Sequence, residues 1–202
     1  MRGTGSLFST QHGMTLVMSL ILLLLISLVG LGAARYAAVD QMSARAMRDR
    51  EVALQSAEAA LRDAMADIET GVRAARFDVA PTGFDEDCPA VALPANAVAA
   101  ADNARGLCLA RDATAARQLW QDVDLDARAV PFGTFTQRVW DTTLTAAPVY
   151  LIESMPMQRA GMAVQGASAD VEQLAFRITA VGFGPPNSDV QVALQSYFVK
   201  TR

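Results

Sequence analysis

Few residues in this chain are of a type and spacing that could do chemistry. They are a single histidine, His12, two cysteines, Cys88 and Cys108, and an alternating acidic triplet, Asp122, Asp124 and Asp126. The triplet opens like a calcium loop, in which alternate carboxylates supply oxygen ligands. The pattern then fails, because Ala127 stands where such a loop needs glycine and Gly133 where it needs a bidentate glutamate. A solvated loop or an exposed strand edge is the better reading, and Asp85-Glu86-Asp87 likewise reads as a solvated turn. Cys88 and Cys108 have no histidine near them in sequence to complete a zinc site. Ser-His-Asp and Cys-His nucleophile systems need a histidine, and His12 lies in a short polar stretch that reads as a removable leader. The chain contains no G-x-S-x-G, no G-x-x-x-x-G-K-[ST], and no G-x-G-x-x-G opening a helix. No enzyme activity, metal or cofactor is therefore expected. Trp120 and Trp140 read as core residues rather than binding platforms.

The elements that would position these residues start with an anchor. Hydrophobic residues make up 52% of the 202-residue chain, and that excess is concentrated in one place. Met14 to Ala34, MTLVMSLILLLLISLVGLGAA, carries no charge over 21 residues. At about 1.5 Å per helical residue it spans roughly 30 Å, the thickness of a bilayer core. The net charge is −4, and of the 17 basic residues only Lys200 is a lysine, the arginines being spread along the chain. A nucleic-acid partner recognised through a basic face is not expected.

Three readings of the N-terminus are open. Gly32, Ala33 and Ala34 could end a secretory signal peptide, and the run could equally be a plain single-pass anchor. Alternatively, Gly13-Met14 stands at the boundary of a polar leader and the apolar run, which resembles a class III prepilin leader. There a membrane peptidase cuts after the glycine and the new N-terminus is methylated, so the apolar segment is retained. Past Ala34 the hydrophobicity narrows to a stripe: Val39, Met42, Ala46, Ala53, Ala57, Ala60, Leu61, Ala64 and Ile68 recur at helical spacing. Charged residues, Asp63 and Asp67 among them, fill the other face. No proline interrupts Met14 through Ala80, which predicts one helix from Met14 to about Thr70.

The stretch from Gly13 to Ala66, with its A-L-Q-S-A-E-A-A-L-R-D run at Ala53 to Asp63, resembles the N-terminal region of PilX-type minor type IV pilins. The closing segment FRITAVGFGPPNSDVQVALQSYFVK, Phe176 to Lys200, resembles that family's last strands. Looser matches are P-V-Y-L-I-E, Pro148 to Glu153, and G-L-C-L, Gly106 to Leu109. The resemblance implies a leader over 1–13, cleavage between Gly13 and Met14, and methylation of Met14. It also implies a transmembrane part of the helix over 14–34, an amphipathic continuation over 35–70, and a periplasmic, later extracellular, pilin domain over 71–202. The implied partners are other minor pilins, the major pilin and the prepilin peptidase. The implied route runs from a single-pass position in the inner membrane to a cell-surface pilus. Most pilins carry a glutamate at the fifth mature position, which here is Met18. PilX-type chains commonly lack it, which fits a subunit that starts a fibre better than one that repeats along it. A membrane-tethered periplasmic binding or sensor domain, and a type II secretion pseudopilin, are the alternatives.

Beyond the helix, Gly71 to about Asn103 reads mostly as loop, and Thr114 to Leu119 as a short helical turn. Thr134 to Trp140, Val149 to Glu153, Leu174 to Val181 and Val190 to Lys200 read as strands. Gly184 to Asp189, GPPNSD, is a turn between the last two. The expectation is an α+β, pilin-like fold, with an antiparallel sheet of about four strands covered by the stripe from Val39 to Ile68. If this domain lies in the periplasm, Cys88 and Cys108 form a disulfide, which would add about 3 kcal/mol for a loop of this size. Two free thiols are the alternative.

Overall fold

The structure is a computed structural model that describes residues 12–78, 83–110, 119–143, 145–155 and 173–201. It divides into two compact units, Met1–Met47 and Arg48–Arg202. A single helix, α1, runs His12–Glu69 and contributes to both.

In the first unit α1 is the whole of the described structure. Its apolar side chains face outward: Leu16, Met18, Leu23 and Val29 are all more than 60% exposed. Such a surface is stable only against lipid or other apolar side chains. Val39, Met42 and Ala46, expected to cover the sheet, are exposed as well. The stripe begins to bury only at Ala53.

In the second unit the remainder of α1 is followed by a 3-10 turn, Ala74–Phe77, and a short helix α2, Ala97–Ala101, whose N-terminus is capped by the Asn96 side chain accepting from Ala99 N. Strand β1 is Leu107–Leu109. Helices α3, Leu119–Asp122, and α4, Leu125–Arg128, come next, then strands β2, Val130–Pro131, β3, Val149–Met155, β4, Gln173–Phe183, and β5, Gln191–Thr201. The sheet order is β1-β3-β4-β5, with β2 pairing β3 off this path.

The hairpin of β4 and β5 and its Gly184–Asp189 turn stand where expected, in an unbroken register from Gln173↔Thr201 to Phe183↔Gln191. The sheet is larger than expected and mixed, because β1 pairs β3 in parallel. Thr134 to Trp140 is not a strand. It forms turns closed by Thr134 N to Pro131 O and Gln137 N to Gly133 O, with Gln137 at φ 60° and Val139 94% exposed. The 71–103 segment contains α2 and the 3-10 turn in addition to loop. The acidic triplet is neither a strand edge nor an open loop. Asp124 caps α4, accepting from Asp126 N and Ala127 N, and Asp122 ends α3. The expected turn at Thr114 to Leu119 lies outside the described residues except for Leu119, which opens α3.

The core lies between α1 and one face of the sheet. Ala60, Ala64 and Ile68 pack with Phe77, Tyr150, Ile152, Phe176, Ile178 and Ala180, all buried. Small residues on α1 allow close approach. At Gly182 an added Cβ would stand 2.8 Å from Ala57 Cα and closer still to Ala53 O, so glycine is the residue this helix–strand contact accepts. A smaller cluster of Cys88, Cys108, Leu119, Ala129 and Leu151 covers part of the opposite face. Trp120 is half-buried against it, and Trp140 is half-buried beside Phe132 at a ring separation of 5.1 Å.

Candidate functional site

The sequence-predicted processing residues, Gly13 and Met14, fall in the first turn of α1 as described, with Met14 79% exposed. The helix that follows is long and apolar enough to cross a membrane, and none of its most apolar window is buried.

In the second unit the structure brings Cys88 and Cys108 together. Both are fully buried, their Cα atoms lie 4.4 Å apart and their sulfurs are at bonding distance. The pairing links the loop before α2 to β1, and Asp85 forms a parallel bridge to Cys108 beside it. Arg128 reaches back to donate to Cys88 O at 2.6 Å and also donates to Asp87 O.

The site that sequence reasoning missed is built on two carboxylates assigned to the polar face of the helix. Asp63 and Asp67 are both fully buried. Asp67 accepts from Arg73 Nε at 3.1 and 3.0 Å, from Arg73 Nη2 at 2.7 Å and from the Tyr150 hydroxyl at 2.8 Å. Arg73 is itself enclosed: its Nη1 donates to Asn103 O and Arg105 O at 3.1 and 2.7 Å, and its guanidinium lies 3.7 Å from the centre of the Phe135 ring. Burial, followed by the neighbouring Asp67 charge, pushes the Tyr150 hydroxyl well above its ordinary range, so it stays a donor. Asp63 accepts from Gly133 N at 2.7 Å and from the Thr136 hydroxyl, with Arg138 Nε 3.9 Å away. Gly133 has φ +79°, a conformation that turns its N–H toward the carboxylate and that an L side chain would resist. Desolvation raises the Asp63 carboxyl above its usual value, against the lowering effect of Thr136, Gly133 and Arg138.

These groups do not make a reaction centre. Asp67 has its charge neutralised and its lone pairs occupied, and Tyr150 is held protonated. Among the described residues no group of three His, Cys, Asp or Glu side chains could hold a metal ion. The arrangement instead fixes the end of α1 to the loops that follow it and to β3. On the outer face of the sheet a second pair does similar work: Arg177 Nε and Nη2 donate to the 1%-exposed Glu153 at 2.8 and 2.5 Å. Nothing in the sequence marked Arg73 as the partner of Asp67. Its only distinguishing sign is its place two residues after Gly71, just past the predicted helix end.

The geometry is thus that of an exposed apolar helix in the first unit and, in the second, a domain whose buried polar groups hold the last turns of α1. Comparison with known families agrees in the same two regions. A model described as PilX N-terminal matches residues 12–62, and one described as Type IV pilus assembly protein PilX C-term matches residues 95–200. No curated protein and no solved structure matches the chain. The second model alone spans more than half of the sequence, and the two follow each other in order: the chain belongs to the PilX family of type IV pilus assembly proteins.

Proposed function

We propose that this chain is a minor pilin made as a precursor. Residues 1–13 are its leader, removed between Gly13 and Met14, and Met14 is then methylated. Residues 14–34 hold it in the inner membrane, residues 35–70 carry the helix outward, and residues 71–202 form the periplasmic domain, in which Cys88 and Cys108 are joined. The processed chain helps prime pilus assembly with other minor pilins and the major pilin, enters the fibre and stands at its tip, where twitching motility and adhesion depend on it.

The observation that carries this reading is the family match beginning at residue 12, where the exposed apolar helix begins. Met18 supports the tip position, because a first subunit has no predecessor whose N-terminal amine needs a carboxylate. Mass spectrometry of the mature N-terminus tests the processing. Methylated Met14 is the expected result, and an N-terminus at Arg35 would exclude a pilin. Alkylation of the unreduced protein should label neither thiol, and labelling of both would place the domain in a reducing compartment.

A further inference from the structure

β5 is an edge strand that lacks the usual protection. It ends the sheet order, no described element pairs with its outer side, and none of Gln191 to Lys200 is buried, whereas five of the seven residues of β3 are. Gly184 N donates to Val190 O at 2.9 Å, which sets the phase of the hairpin ladder. With a period of two, the even-numbered residues of β5 bond to β4. The main-chain N–H and C=O groups of Ala193, Tyr197 and Val199 therefore point to the open side.

Soluble proteins blunt such edges with charge, proline, bulges or short strands. β5 has 11 residues, no proline and an unbroken register. Its one charged residue, Lys200, is directed away from the edge, donating to Ile68 O and Ala74 O at 2.9 and 3.1 Å and pairing with Asp78 at 2.7 Å. Tyr197 and Val199 are 66% and 51% exposed.

We propose that the open edge of β5 docks an extended, uncharged strand of a neighbouring pilus subunit, added to the sheet by main-chain hydrogen bonds. An extended polypeptide is the ligand whose donors and acceptors repeat with the same two-residue period. It is uncharged because a charge laid along residues 191–199 meets no opposite charge there. The occupant is a neighbour rather than a free second copy on grounds of area. A stable free-standing dimer buries about 1,600 Å², far more than one added strand covers. A subunit already held alongside by its own helix gains from effective concentration and needs only the strand.

This inference rests on the pilus reading above, and its test separates the two. In cells lacking the chromosomal copy, the wild-type full-length chain should restore surface pili. No loss of pili on deletion would remove the pilus-priming reading itself. Ala193→Pro deletes an outward N–H and leaves the ladder to β4 intact. It should accumulate with unreactive thiols, yet reduce pilus number by about tenfold, the effect of roughly 1.4 kcal/mol. Wild-type pilus number with Ala193→Pro would overturn the edge proposal and leave the priming role standing. Should this variant fail to accumulate, a benzoylphenylalanine photo-crosslinker in place of Tyr197 decides. An adduct mapped to an extended segment of an identified pilus subunit supports the proposal, whereas an adduct only with a second copy of this chain, or none, overturns it.

Discussion

At Asp67 three segments of the second unit meet on one carboxylate, and its energetics are asymmetric. A buried ion pair adds little over an apolar replacement, but breaking it leaves an uncompensated charge in the core. Arg73→Ala should therefore cost about 3–5 kcal/mol in urea unfolding of the full chain in detergent. Tyr150→Phe, which removes one bond to a charged acceptor, should cost about 1.5–3 kcal/mol. Equal costs for the two would show that Asp67 does not depend on Arg73 for its charge. Arg73→Lys should behave more like the alanine variant, since a point charge cannot reach Asp67, Asn103 O and Arg105 O together. Asp63 makes a prediction of the opposite sign from most acids. Its folded-state value lies above the ordinary 3.8, so the folded chain binds the proton more tightly than the unfolded one. This residue's contribution to stability is greatest below 3.8 and falls as pH rises through its raised folded value. Asp63→Asn should remove that downward slope from a pH series of urea midpoints. An unchanged slope would assign it elsewhere. Neither carboxylate was legible as buried: apart from Arg73, six residues from Asp67, their partners Gly133, Thr136 and Tyr150 lie 70 to 83 residues away. A helical wheel sees only the charge.

Among elements, legibility followed length and alternation. β4 and β5 announce themselves because Leu174, Phe176, Ile178 and Ala180 share one face and the proline-rich turn separates the strands. β1 and β2 have three and two residues, too few for a period of two to show. Thr134 to Trp140 has strand-like composition, but tertiary bonds to Asp63 hold it in turns. The apolar stripe on α1 reaches back to Val39 but is buried only from Ala53 on, because helical periodicity does not say which partner covers it. The parallel strand in which Cys108 sits was not legible. The contact of Gly182 with Ala53 and Ala57 carries the element-scale prediction. Gly182→Ala forces a methyl group into the α1 backbone and should lower stability by about 1–3 kcal/mol in thermal unfolding, with Gly182→Val worse. An alanine variant as stable as wild type would mean that helix and strand can separate at no cost.

For the molecule as a whole, the two units make different demands on their surroundings. The second has its own core, beginning at Ala53, and the first has only an exposed apolar helix. A chain starting at Arg48 should unfold cooperatively at the urea midpoint of the full protein, and one starting at Ala64, without Ala53, Ala57 and Ala60, should not fold. A shifted midpoint for the longer chain would show that the first unit stabilises the second. The arginines, which in the sequence are merely scattered, acquire a common purpose in this unit. Arg73, Arg76, Arg105 and Arg128 donate to main-chain carbonyls of residues 21 to 41 positions away, among them Asn103, Asp102, Ala129 and Cys88. They supply the donors that an irregular layer lacks for want of a strand ladder.

The clamp on Lys200 has a mechanical meaning. Force drawn along the C-terminal end of β5 would ordinarily peel the strand from β4 one residue pair at a time. Here that end is tied through Lys200 to Ile68 O at the end of α1 and to Ala74 O and Asp78 just beyond it. Opening the hairpin past Leu174↔Lys200 from this end therefore requires those contacts to break together with the rung.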